Sequence, residues 1–152
     1  MRSTEFRAAP PMNKLLPFAA ALLVAASVAH AQVTVDKPWV RTTVPQQTTS
    51  GAFMTITSAQ GGRLVSASSP VATAVEVHEM KMEGDLMKMR PVAALPLPAG
   101  KPVELKAGAF HMMLLGLKAP IKSGETVPIA LVVEDAAGKR ETVTVQAVAK
   151  LN

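Results

Sequence analysis

The sequence predicts one all-β domain over residues 32–152, a Greek-key β-sandwich or barrel. Short runs rich in Val, Ile and Thr recur there about every ten residues. Gly, Pro, Ser and Asp punctuate them as turn residues do, and no segment sustains a helical period.

In order along the chain, the runs are Val33–Val35, Trp39–Thr43, Gly51–Thr57, Arg63–Ser68 and Ala74–Met82, then Leu86–Val92, Pro102–Leu105, Phe110–Leu117, Thr126–Glu134 and Glu141–Val148. One hairpin is legible at residue level. Glu83-Gly84-Asp85-Leu86 reads as a two-residue Gly84-Asp85 turn, with Gly84 supplying the positive φ. That register sets Met82 opposite Met87, Met80 opposite Met89 and His78 opposite Pro91. Strand side chains alternate faces, so His78, Met80, Met82, Met87 and Met89 share one face. Glu79, Lys81, Glu83, Lys88 and Arg90 share the other. Val75 and Val77 lie on the charged residues' side, so the strand starts in the core and its hairpin projects past it.

Residues 1–31 read as a secretory signal. Lys14 precedes an apolar run from Leu15 to Val28, and Ala29-His30-Ala31 supplies a small-x-small cleavage site. The run falls short of the roughly 20 residues that a membrane span needs. Cleavage is expected after Ala31, leaving residues 32–152 as a periplasmic, non-spanning, monomeric domain. Residues 1–11 carry Arg2, Arg7 and two prolines, unusual ahead of a signal, which makes Met12 a candidate start and 1–11 an extension.

The mature part carries 13 basic and 10 acidic residues, scattered, and only Trp39, Phe53 and Phe110 as aromatics. A nucleic-acid surface needs a basic patch, often with stacking aromatics, so nucleic acid is not an expected partner. The chain has no cysteine, which excludes disulfides, zinc fingers, iron–sulfur clusters and thiolate copper sites. Enzymatic chemistry is not expected either. Glu76 and Glu79 alternate to opposite faces and form no acid–base pair, and no Ser or Thr has a base to activate it.

Histidine and methionine carry the chemistry. The mature part has two histidines, and each has a methionine two residues on, His78 with Met80 and His111 with Met113. On a strand those pairs face one side, and Met89 can join from the hairpin partner. Imidazole with thioether suits copper(I), whereas zinc favours thiolate, imidazole or carboxylate and hard cations favour oxygen. Methionine also fills cores, and Met54, Met82, Met87 and Met112 are expected to do that. Trp39 and Arg41 could mark a surface site, but Trp39 is expected instead to pack the core.

The spacing His78, ten residues, Met89, twenty-one residues, His111, one residue, Met113 resembles the His-x10-Met-x21-His-x-Met motif of the periplasmic PCu(A)C copper chaperones. The likeness extends through PWVRTT (38–43), SGAFMTI (50–56), SSPVATAVEVHEM (68–80), MKMRPV (87–92) and LPAGKPVELKAGAFHMMLLGLK (97–118), nearly the whole mature chain. Some members place a second methionine directly after the first histidine, where this chain has Glu79. The resemblance implies a cupredoxin-like, immunoglobulin-like sandwich. It also implies one copper(I) per chain on His78, Met89, His111 and Met113, delivered to the CuA centre of cytochrome c oxidase with Sco-type proteins as partners. Two alternatives are a copper-scavenging or storage protein and a metal-free immunoglobulin-like structural module.

Overall fold

The structure is a computed structural model that describes residues 32–151. The expected signal peptide, its expected cleavage site and the expected extension at 1–11 lie outside the described residues. Ten strands follow one another: β1 (Val33–Arg41), β2 (Thr49–Ser58), β3 (Gly62–Ser68), β4 (Ala72–Glu83), β5 (Leu86–Pro91), β6 (Leu95–Leu97), β7 (Val103–Leu105), β8 (His111–Leu117), β9 (Thr126–Glu134) and β10 (Arg140–Lys150). The all-β expectation holds. Among the described residues no helix is long and apolar enough to cross a membrane.

Seven strands close on themselves in the order β4-β8-β2-β1-β10-β9-β3, with Ala67 of β3 pairing Val75 of β4 to shut the ring. All the pairings are antiparallel except β1 with β10. Strand alternation fills the interior. Val127, Ile129, Leu131 and Val133 of β9 point inward, and Val145, Ala147 and Ala149 of β10 meet them. Val75 and Val77 of β4, Met112 and Leu114 of β8, and Ala52, Met54 and Ile56 of β2 complete that wall. Met54 and Met112 are therefore core residues, as expected.

The runs expected at 33–35 and 39–43 are one strand. Its pairing with β2 shifts register between Asp36 and Trp39, and Lys37 in that step has φ 49°. This β-bulge resets the alternation, so Val40 faces inward and Trp39 outward. Trp39 is thus not in the core. It is half-buried on the outer surface, stacked on its cross-strand partner Phe53 with ring centroids 4.5 Å apart. Lys150 Nζ lies 4.8 Å from the Trp39 ring centre. Strand β6 was not expected, yet Leu95 and Leu97 are each 1% exposed beside β3.

The hairpin follows the expected register, Met82 with Met87, Met80 with Met89 and His78 with Pro91, and Gly84 turns with φ 63°. Residues 72–78 of β4 run beside β8 in the barrel wall, whereas its last residues pair only with β5. The strand passes beyond the barrel, so its core-facing side becomes the charged face. There Glu83 pairs with Lys88 at 2.7 Å and with Arg90. Met82 and Met87, expected to fill core, are instead 55% and 50% exposed, because no second layer backs the hairpin at their level.

Candidate metal centre

The outer face of β4, β8 and β2 collects the chemistry. His78 and His111 are direct cross-strand partners, and Met113 lies two residues along the same face of β8, opposite Gly51. Met80 continues the His78 face into the hairpin, where β5 brings Met89 opposite it. Met80, Met89, His111 and Met113 line a depression of about 330 Å³, walled by Arg41, Gln47, Ser50, Gly51 and Phe53 and by the Ala107–Gly108 loop. His78 does not line it; its ring stands beside the His111 ring, centroids 6.0 Å apart and planes 67° apart. Three of the four residues that the spacing selects therefore share one concavity, and the fourth adjoins it.

Hydrogen bonds orient both rings. His111 Nδ1 lies 3.0 Å from the Ala109 carbonyl oxygen. A carbonyl only accepts, so Nδ1 carries a proton, and in the neutral ring Nε2 has the lone pair. That Nε2 faces Met89 Sδ at 3.2 Å. His78 Nε2 lies 2.8 Å from Glu76 Oε2, which places a proton on Nε2, so that in the neutral ring Nδ1 has the lone pair. His78 Nδ1 is buried and has no hydrogen-bond partner among the described residues. Each imidazole thus has one nitrogen held by an oxygen acceptor and one nitrogen with a lone pair, the usual state of a metal-binding histidine.

Two Lewis-basic atoms at 3.2 Å suit a shared electron-pair acceptor. With ligand bonds of about 2.0 Å to nitrogen and about 2.3 Å to sulfur, tetrahedral geometry would separate them by about 3.5 Å. A shift of a few tenths of an ångström reaches that value. Met89 can make it, since it is 49% exposed on a strand that has one neighbour here, whereas His111 is 7% exposed and fixed. Among the described residues no three His, Cys, Asp or Glu groups gather as a hard-metal or zinc site would require. The donor set is soft to borderline, which favours a soft ion.

Comparison with known proteins gives the family and the fold. The family described as "Putative lipoprotein LpqE-like" matches residues 33–148. The chain belongs to the LpqE-like, PCu(A)C-type copper chaperone family. The solution structure of Cu(I)-DR1885 from Deinococcus radiodurans is 34% identical, with a TM-score of 0.63 over 84% of each chain. The copper-bound PCuAC domain from PmoF2 is 21% identical, with a TM-score of 0.64 over 80% of this chain and 95% of that one, a likeness of fold. A protein of Leifsonia xyli subsp. xyli named "Putative lipoprotein Lxx21020" is 29% identical over 122 residues, 72% of this chain and 74% of that protein.

Several residues in and around this depression are not apparent from sequence spacing alone. Glu76 orients His78, and the i, i+2 rule could have found it, since both lie on one face of β4. Arg41 has no such cue. It reaches the depression from β1, its Cζ 5.4 Å from the Phe53 ring centre, and its Nε is buried with no hydrogen-bond partner among the described residues. Gly51 is needed as floor: a Cβ there would lie 2.8 Å from the tip of the Phe53 ring.

Proposed function

We propose that this protein is an exported copper(I) chaperone that carries one tightly held ion on His78, Met89, His111 and Met113. It would surrender that ion to a recipient outside the cytoplasm. The observation that carries the reading is His111 Nε2 facing Met89 Sδ at 3.2 Å, in a depression that Met113 also lines. The 34%-identical Deinococcus protein, whose structure is titled as its Cu(I) form, supports copper(I) as the cargo.

The ligand types suit a carrier. A thioether has no proton to lose, so sulfur binds and releases the ion without acid–base chemistry. Met89 stands on an exposed strand and would be the first donor exchanged for one of the recipient's, while His111 stays in the wall. The copper remains in one oxidation state and bonds change one at a time. The recipient we favour is the CuA centre of cytochrome c oxidase, with a Sco-type protein as partner. Gln32 would be the mature N-terminus.

Anaerobic titration of the mature chain with copper(I) against a chromophoric chelator tests the reading. One tight equivalent is expected, and the His78→Ala, His111→Ala double variant should lose it. Unchanged affinity in that variant would overturn the ligand set. Transfer to a purified CuA domain, absent for a storage protein, tests the recipient.

A further inference from the structure

Met82 and Met87 have no core to fill, yet they are methionines. They are 55% and 50% exposed, on a two-stranded ribbon in which every residue of β5 is exposed. Packing, the ordinary reason for methionine, does not operate on them. Neither lines the depression that holds His111 and Met113.

Their placement is specific. Met82 is the direct cross-strand partner of Met87, one step beyond the Met80–Met89 pair, and all four share the outer face. Opposed residues in an antiparallel pair have Cβ atoms about 4.5–5.5 Å apart. Two thioethers bound to one soft ion at about 2.3 Å each need sulfur atoms no more than about 4.6 Å apart. Flexible methionine side chains on opposed positions span that distance readily. The other face of the ribbon is held by the Glu83–Lys88 and Glu83–Arg90 ion pairs, so the methionine face is free for a ligand. The tip pair brings no oxygen or nitrogen side chain of its own to that face, and sulfur alone selects a soft monovalent ion.

The geometry points to a second, weaker copper(I) site at the hairpin tip, made by the Met82 and Met87 thioethers with Met80 as third donor. Met80 lines the depression and neighbours the tip pair along β4, so an ion can step from the tip pair onto Met80 and Met89 by exchanging one Cu–S bond for another. The step moves no electron and no proton. The identity of the ion rests on the copper reading above; the existence of the site rests on the tip residues alone.

The test is anaerobic addition of copper(I) to the mature chain carrying ¹³C-methyl methionine, followed by NMR. The first equivalent should move the Met89 and Met113 ε-methyl signals, and the second those of Met82 and Met87. The tip shifts should persist in the His78→Ala, His111→Ala variant, and equally in mildly acidic and neutral buffer. The volume-conserving Met82→Leu, Met87→Leu variant should lose the second equivalent and keep the first. Unmoved Met82 and Met87 signals at two equivalents, or a second equivalent retained in the leucine variant, would overturn the tip site. Tip shifts without Met89 and Met113 shifts would uphold it and sink the function proposed above.

Discussion

Met112 and Met113 are adjacent in sequence and opposite in role, because a strand turns successive side chains to opposite faces. Met112 is 0% exposed among the core residues, and Met113 lines the depression. Met112→Ala should cost about 2–5 kcal/mol of stability through the cavity it leaves, with copper(I) affinity little changed in whatever fraction stays folded. Met113→Ala should do the reverse, weakening copper(I) with a small shift in the urea midpoint. Chelator competition and urea titration on both variants check this pair, and equal losses in both would contradict it. Glu76 is a positioning residue at this scale. Glu76→Gln keeps an oxygen acceptor for His78 Nε2–H but removes the charge, and outer-shell losses of this kind typically weaken metal binding about 10–100-fold. Glu76→Ala should weaken it further, with Glu76→Gln as partial rescue, whereas a merely solvated surface carboxylate would leave affinity untouched. The two histidines and their methionine companions were legible in the sequence because i, i+2 spacing survives any regular strand. Arg41 was not, since its place beside Phe53 follows from a pairing between β1 and β2 that no local pattern encodes.

Regular alternation decides which elements could be read in advance. Strand β9 alternates from Thr126 to Glu134 without interruption, and its predicted bounds coincide with the structure. The β4–β5 hairpin was legible to the single residue because a Gly-Asp turn fixes register. Strand β1 was divided in two and Trp39 placed in the core, because the bulge at Lys37 breaks the period within one continuous strand. Strand β6 was missed because Pro96 argues against a strand until Leu95 and Leu97 are seen buried against β3. An ion-pair clamp ties β3, β9 and β10 together at one end of the barrel: Glu134 accepts from Arg63 at 2.7 Å and from Arg140 at 3.0 Å. Those two guanidinium hydrogen bonds hold the Glu134 carboxyl below the ordinary glutamate range. A depressed carboxylate contributes stability that is complete above its unfolded-state pKa and is lost as pH falls through the lower folded value. Glu134→Gln should therefore destabilise modestly at neutral pH, and the difference from wild type should shrink in acid. Urea midpoints measured across an acid series and at high salt check it, with salt also narrowing the gap because the arginines are exposed. A gap that widened in acid would contradict the assignment.

At the scale of the whole molecule, the barrel and the hairpin are unequal partners, and copper should couple them. Seven strands close into a ring around a shared core, while β5 pairs with β4 alone and exposes all six of its residues. Elements with few buried contacts open first, so the β5 amides should exchange through local opening well below the global unfolding free energy. The proposed ligands straddle this division: Met89 stands on β5, His78 on β4, and His111 and Met113 on β8. An ion bound to all four would tie the outer hairpin strand to the barrel wall. Ligand that binds only the closed state stabilises it by about 2.7 kcal/mol at one hundred times its dissociation constant. Copper(I) should therefore slow exchange at β5 and at the end of β4 strongly, approaching the protection of the barrel strands. The already protected amides of β9 and β10 should change only as far as global stability does. Met89→Ala should remove the selective protection of β5, because the remaining three donors all sit on β4 and β8 and leave the outer strand free. Amide hydrogen exchange by NMR, with and without one equivalent of copper(I), distinguishes the outcomes. Slowing confined to the barrel strands, with β5 spared, would mean that Met89 is no ligand, and that the ion is held by the barrel wall alone.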